Sequence, residues 1–192
     1  DSGNRGCSLW TPLLDQEKND SSRKFPIYSL AFSPNSGTLF CGGGDRFISA
    51  WKLVDHETIM AEGISPRFEF IQNLGPHTGW VKDIVVDDDN DLLHSIGCNC
   101  IETWDFSCGP IEHTRKRSIE NSPEAGSTLS SDLLCLCLVS WSPAKDHLIL
   151  SGGVDGRVHV WKSDPSHGDD ADTPLDSMTL QNGRGSGILS VR

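Results

Sequence analysis

Thr38-Leu39-Phe40-Cys41-Gly42-Gly43-Gly44-Asp45-Arg46-Phe47-Ile48-Ser49-Ala50-Trp51 and Leu148-Ile149-Leu150-Ser151-Gly152-Gly153-Val154-Asp155-Gly156-Arg157-Val158-His159-Val160-Trp161 are one pattern written twice. Each is an apolar run, a Gly-rich turn carrying Asp, and a second apolar run closed by Trp six residues after that Asp. Short runs of Val, Ile, Leu and Phe bounded by glycines read as antiparallel hairpins. The glycines at 42–44 and 152–153 are expected to supply the positive φ of the turns.

A further strand precedes each hairpin, at Ile27-Tyr28-Ser29-Leu30-Ala31-Phe32-Ser33-Pro34 and at Cys137-Leu138-Val139-Ser140-Trp141-Ser142-Pro143. A divergent copy lies between them. It runs from His77-Thr78-Gly79-Trp80-Val81 to Ser95-Ile96-Gly97-Cys98-Asn99-Cys100-Ile101-Glu102-Thr103-Trp104-Asp105, with Asn99 at the Asp position and a turn one residue shorter. Gly6-Cys7-Ser8-Leu9-Trp10 adds one more strand end. Trp10, Trp51, Trp104 and Trp161 are separated by 41, 53 and 57 residues, so the two longer gaps are expected to hold insertions, near 55–75 and 107–130.

Composition narrows the class. The 192 residues carry 16 Lys+Arg against 27 Asp+Glu, a net charge of −11, with 19 glycines and 10 prolines. That is a turn-rich, all-β composition. An acidic chain without a basic stripe is a poor match to phosphate backbones. No apolar run approaches the length of a membrane span. Seven cysteines are an odd number, and Cys98-Asn99-Cys100 and Cys135-Leu136-Cys137 lack zinc-site spacing. The second pair sits within Leu133-Leu134-Cys135-Leu136-Cys137-Leu138-Val139, where cysteine serves as a small apolar residue. Reduced thiols point to an intracellular location, cytoplasmic or nuclear.

The repeat resembles the WD-repeat (β-transducin-like) family of β-propellers, and the resemblance covers most of the chain. Only Trp104-Asp105 keeps the dipeptide that names the family; Trp10-Thr11, Trp51-Lys52 and Trp161-Lys162 depart from it. The resemblance implies about three complete four-stranded blades plus partial ones at both ends, and an internal fragment of a longer protein. The expected division is 1–20 as the end of a preceding blade, 21–75, 76–125 and 126–180 as blades, and 181–192 as the first strand of a following blade. The family's stabilising network joins a His, a Ser or Thr, a turn Asp and the Trp. It carries over onto His77, Ser95 and Trp104, onto Ser151, Asp155 and Trp161, and onto Asp45 and Trp51, where Cys41 replaces the Ser.

Other motifs read as structural. His77 and Asp83 could be drawn as an acid–base pair, but a His ahead of a blade strand belongs to the network. Asp87-Asp88-Asp89-Asn90-Asp91 lacks the Gly and Glu of a calcium loop and reads as a solvated turn. Arg115-Lys116-Arg117 reads as solvated charge on an outer fourth strand. The expectation is a non-catalytic scaffold or adaptor that binds other proteins, with no cofactor, no metal, no membrane and no direct nucleic-acid contact. Its partners would meet the turns before each first strand and between second and third strands, where Arg46 and Arg157 are the contact candidates. The alternatives are a propeller regulating or attached to a catalytic domain outside these residues, or a subunit of an RNA-processing or export complex.

Overall fold

The computed structural model describes residues 25–54, 67–108, 110–118, 132–140, 147–164 and 174–179. Every regular element among them is a β-strand, and the strands form three antiparallel sheets of four, each a meander. The first sheet contains β1 (Ile27–Ser33), β2 (Thr38–Gly43), β3 (Ile48–Leu53) and β4 (Phe68–Leu74). The second contains β5 (Val81–Asp87), β6 (Leu92–Gly97), β7 (Cys100–Asp105) and β8 (Glu112–Ser118). The third contains β9 (Leu133–Val139), β10 (Leu148–Gly153), β11 (Arg157–Lys162) and β12 (Asp176–Thr179). These are the blades of an all-β, propeller-type architecture. The stretches at 55–75 and 107–130 therefore include the outer strands β4 and β8 rather than insertion alone. The expected units at 1–20 and 181–192 lie outside the described residues.

The pleat assigns each blade two apolar faces, because successive side chains alternate across a strand. In the first blade Ala31, Phe40 and Ala50 are register partners that face the second blade. There Phe40, Ile48, Ala50 and Leu74 close on Val81, Ile84, Leu93 and Trp104 as one buried cluster. On the second blade's other face, Ile96 and Ile101 pack with Leu133, Leu136, Ile149 and Trp161 of the third. Trp104 and Trp161 thus point toward the blade before them. The equivalent Trp51 is half-buried and packs edge-on against Phe70, with ring centroids 5.1 Å apart.

The hairpin glycines act by size rather than by the expected positive φ. Positive φ falls instead at Arg46 (71°), Cys98 (57°) and Gly156 (73°), at the tips of the three hairpins. A Cβ on Gly42 would sit 2.5 Å from Val81 Cγ1 and 2.7 Å from Ile84 Cδ1, so glycine is what lets two blades approach. On Gly43 it would meet the Pro26 carbonyl at 2.3 Å. Gly42→Ala is expected to lower stability by about 1–3 kcal/mol through overpacking. Adding Val81→Ala, which opens that space, should recover part of the loss. Urea unfolding of the single and double variants measures both.

Candidate functional site

Polar groups join the blades where the apolar clusters stop. Asp83 Oδ1 accepts from Ser29 Oγ of the first blade at 2.8 Å, and Asp83 Oδ2 accepts from the Leu136 backbone N–H of the third at 2.8 Å. His77 is engaged elsewhere, with Ser95, so the acid–base pairing of His77 with Asp83 is not assembled.

The repeat network forms most fully in the second blade. Trp104 Nε1–H donates to Ser95 Oγ at 3.0 Å, and Ser95 Oγ meets His77 Nε2 at 3.0 Å. His77 Nδ1 faces the buried Glu102 carboxylate at 3.5 Å, and the other Glu102 oxygen lies 3.7 Å from His113 Nε2. Glu102 is thus the acid of this network, while Asn99 stays in the hairpin turn. Glu102 is the register partner of Ser95 across β6 and β7, and the same cross-strand position holds His159 opposite Ser151. In the third blade Trp161 Nε1–H donates to Ser151 Oγ at 2.9 Å, and His159 Nε2 lies 3.5 Å from Asp155. His159 of β11 packs beside Trp161, with ring centroids 6.2 Å apart, but makes no hydrogen bond to Ser151. Burial holds the His159 imidazole below its ordinary pKa despite the adjacent carboxylate. In the first blade Asp45 accepts from the Phe47 N–H at 3.1 Å, and Asp155 accepts from Arg157 N–H at 3.0 Å in the same way. Asp45 and Trp51 are not linked by a hydrogen bond. Burial pushes the Cys41 thiol up to about 11 at the position a Ser would occupy.

One residue from each of two motifs that read as solvated, Asp87 and Arg117, is buried where the second and third blades meet. Asp87 is fully buried: His147 Nδ1 lies 2.7 Å from Oδ1, Asn90 donates to Oδ2 at 2.9 Å, and Ser163 Oγ donates to the same oxygen. These hydrogen bonds and His147 hold the Asp87 carboxyl below the usual range against the opposing effect of burial. His147 Nε2 meets Ser140 Oγ at 3.0 Å and Asp89 at 3.3 Å. Arg117 is 1% exposed rather than solvated, donating to the carbonyls of Lys162 at 2.8 Å and Ser163 at 3.2 Å. Since Ser163 donates to Asp87, it accepts from His94 Nε2–H at 2.9 Å, which leaves His94 Nδ1 to accept from Thr103 Oγ at 3.1 Å. Burial, with Arg117 adding to it, lowers the His94 pKa to about 3.

At the opposite rim, where the β2–β3 and β10–β11 hairpins end, Arg46 and Arg157 are both exposed. Phe25 and Tyr28, around the start of β1, and Trp80, just before β5, are exposed at the same end of their blades. The rings of Tyr28 and Trp80 lie 5.8 Å apart. Phe25 rests against Gly44, and the Arg46 carbonyl accepts from His77 N–H at 2.9 Å.

Comparison with known proteins agrees with this geometry. The family described as WD domain, G-beta repeat matches residues 18–52 and 125–162, which run through β3 of the first blade and β11 of the third to their closing Trp-Lys pairs. These two segments match WD repeats, and the three four-stranded sheets are consistent with WD-repeat blades. A guanine nucleotide-binding protein subunit beta of Solanum tuberosum is 27% identical over 158 residues, covering 80% of this chain and 38% of that protein. Autophagy-related protein 16 of Arabidopsis thaliana is 26% identical, covering 69% of this chain and 21% of its own length. WD-40 repeat-containing protein MSI4 of Arabidopsis thaliana is 24% identical, covering 70% and 28%. The chain thus spans about two-fifths of the length of the potato relative. No helix among the described residues is long and apolar enough to cross a membrane.

Two outcomes are expected of the WD-repeat networks. Ser95→Ala leaves Trp104 Nε1 and His77 Nε2 buried without this partner and should cost about 1–3 kcal/mol in a denaturant titration. His94 is neutral in the fold, whereas an unfolded histidine protonates near 6.5. Acid therefore favours the unfolded chain, and the stability contributed by neutral His94 is lost as pH falls from about 6.5 toward about 3. His94→Gln should be less stable at pH 7 and show a flatter decline between pH 7 and pH 4, read from urea midpoints.

Proposed function

We propose that this chain is a non-catalytic interaction module, a scaffold or adaptor subunit of a multiprotein complex, that meets protein partners through the hairpin rim of its blades. The observation that carries the proposal is the exposure of Arg46 and Arg157 at corresponding hairpins of two blades whose other ionic groups include buried joints. Packed sheets hold these hairpins in fixed positions, so partner contacts begin from a preorganised surface. The relative named as a subunit of a guanine nucleotide-binding protein supports a role within an assembly. Free thiols at Cys41, Cys98, Cys108 and Cys137 support an intracellular setting, cytoplasmic or nuclear.

The test is charge reversal at both positions in the full-length parent, Arg46→Glu with Arg157→Glu, followed by affinity capture from its own cells and mass spectrometry. At least one stoichiometric partner should disappear while the thermal midpoint stays within a few degrees. Retention of every partner overturns the rim assignment.

A further inference from the structure

We propose that Ser140 is a base-activated nucleophile that accepts an acyl group from an activated ester, a covalent modification site set apart from the rim of Arg46 and Arg157. Three side chains form a relay. Val139 and Leu148 are register partners at the ends of β9 and β10, so Ser140 and His147, one position further out, are brought face to face. Ser140 Oγ lies 3.0 Å from His147 Nε2, and His147 Nδ1 lies 2.7 Å from Asp87 Oδ1 of the second blade. A hydroxyl within hydrogen-bond reach of a base that a third group orients is the arrangement that activates a serine.

The proton positions follow from Asp87. Burial opposes its charge, yet hydrogen bonds from Ser163, Asn90 and His147 hold the carboxyl below the usual range. An ionised carboxylate only accepts, so Nδ1 carries the imidazole proton and the Nε2 lone pair faces Ser140. Asp89 stands 3.3 Å from the same Nε2, so a second carboxylate faces the proton once it has moved there. Burial is graded along the relay: Asp87 is fully buried, His147 is 4% exposed, and Ser140 is exposed. The joint between the blades fixes the base while the hydroxyl meets solvent.

The fold does not require this pair. The same two positions hold Pro34 and Gly37 in the first blade and Asp88 and Asp91 in the second. What all three blades use there is a backbone carbonyl: those of Gly37, Asp91 and His147 accept from the N–H groups of Leu53, Phe106 and Ser163. The side chains of Ser140 and His147 are therefore additions to a connection that closes without them.

In the reaction Ser140 Oγ attacks the ester carbonyl carbon and its proton passes to His147 Nε2. The Oγ–C bond forms, the bond to the leaving oxygen breaks, and His147 gives its proton to the departing alkoxide or phenolate. One serine ester and one alcohol result, with His147 neutral again. The interaction module thereby gains a covalent mark, one per chain.

The experiment treats the purified full chain with p-nitrophenyl acetate, quenches in acid at intervals and maps acetyl groups by peptide mass spectrometry. Ser140 should be acetylated at least tenfold faster than the exposed Ser107. Ser140→Ala should keep its thermal midpoint within a few degrees and lose that adduct, and His147→Gln should slow the adduct at least tenfold with Ser140 still present. Because loss of the buried imidazole can unfold the joint, Ser140→Cys supplies a second reading: iodoacetamide should alkylate the new thiol at least tenfold faster than the exposed Cys108 of the same chain. A hydrogen bond that only tied β9 to β10 would accelerate neither reaction. No adduct at Ser140, acetylation there no faster than at Ser107, an unchanged rate in folded His147→Gln, or a new thiol no faster than Cys108 each overturns the proposal.

Discussion

The arrangement of the three blades turns on the Asp83 carboxylate. A single side chain on the innermost strand of the middle blade reaches Ser29 on one neighbour and the Leu136 backbone on the other. Hydrogen bonds to an ionised acceptor are the stronger kind, about 1.5–3 kcal/mol each, and both fix the separation of adjacent first strands. Once that separation is set, the glycine at 42 must accept the approach of Val81 and Ile84. The large side chains Phe40, Trp104, Leu136 and Trp161 can then fill the two interblade spaces.

The middle blade has an unlike pair of faces. It directs Ser95, Glu102 and Trp104 toward the first blade and His94, Thr103 and Arg117 toward the third. One joint is closed by an indole and an apolar cluster with a short polar chain inside it. The other adds a fully buried carboxylate, a guanidinium and two imidazoles to its apolar part. Such a polar joint is costly when any member is missing, which makes it a means of specifying which blade stacks on which.

Much of the fold was legible because its signals are local. The Asp-to-Trp spacing, the glycines and the apolar runs lie within one hairpin, so residues such as Asp45, Trp51, Ser151, Asp155 and Trp161 could be placed by reading along the chain. The role of the hairpin glycines was misread, because what they avoid is a side chain from the next blade. The polar joint was illegible for the same reason. Asp87 meets His147 sixty residues away and Ser163 seventy-six away, and Arg117 meets Ser163 forty-six away. A charge looks solvated in sequence until a distant strand is known to cover it. Glu102 was visible only as an acid two residues before Trp104; its cross-strand pairing with Ser95 gives it meaning.

Two long connections have the same place. Residues 54–67 and 163–175 join β3 to β4 and β11 to β12, each leading to an outermost strand, whereas β1 passes to β2 through 34–37 and β2 to β3 through 44–47. The inner strands are gripped on both sides, and an added residue there would shift every interblade register. The perimeter has no such restriction, and lengthening a connection there carries only a slowly growing entropic cost. Added sequence is therefore accommodated more cheaply before an outermost strand than between the inner strands, so room for growth and mechanical integrity lie at different radii of the same molecule.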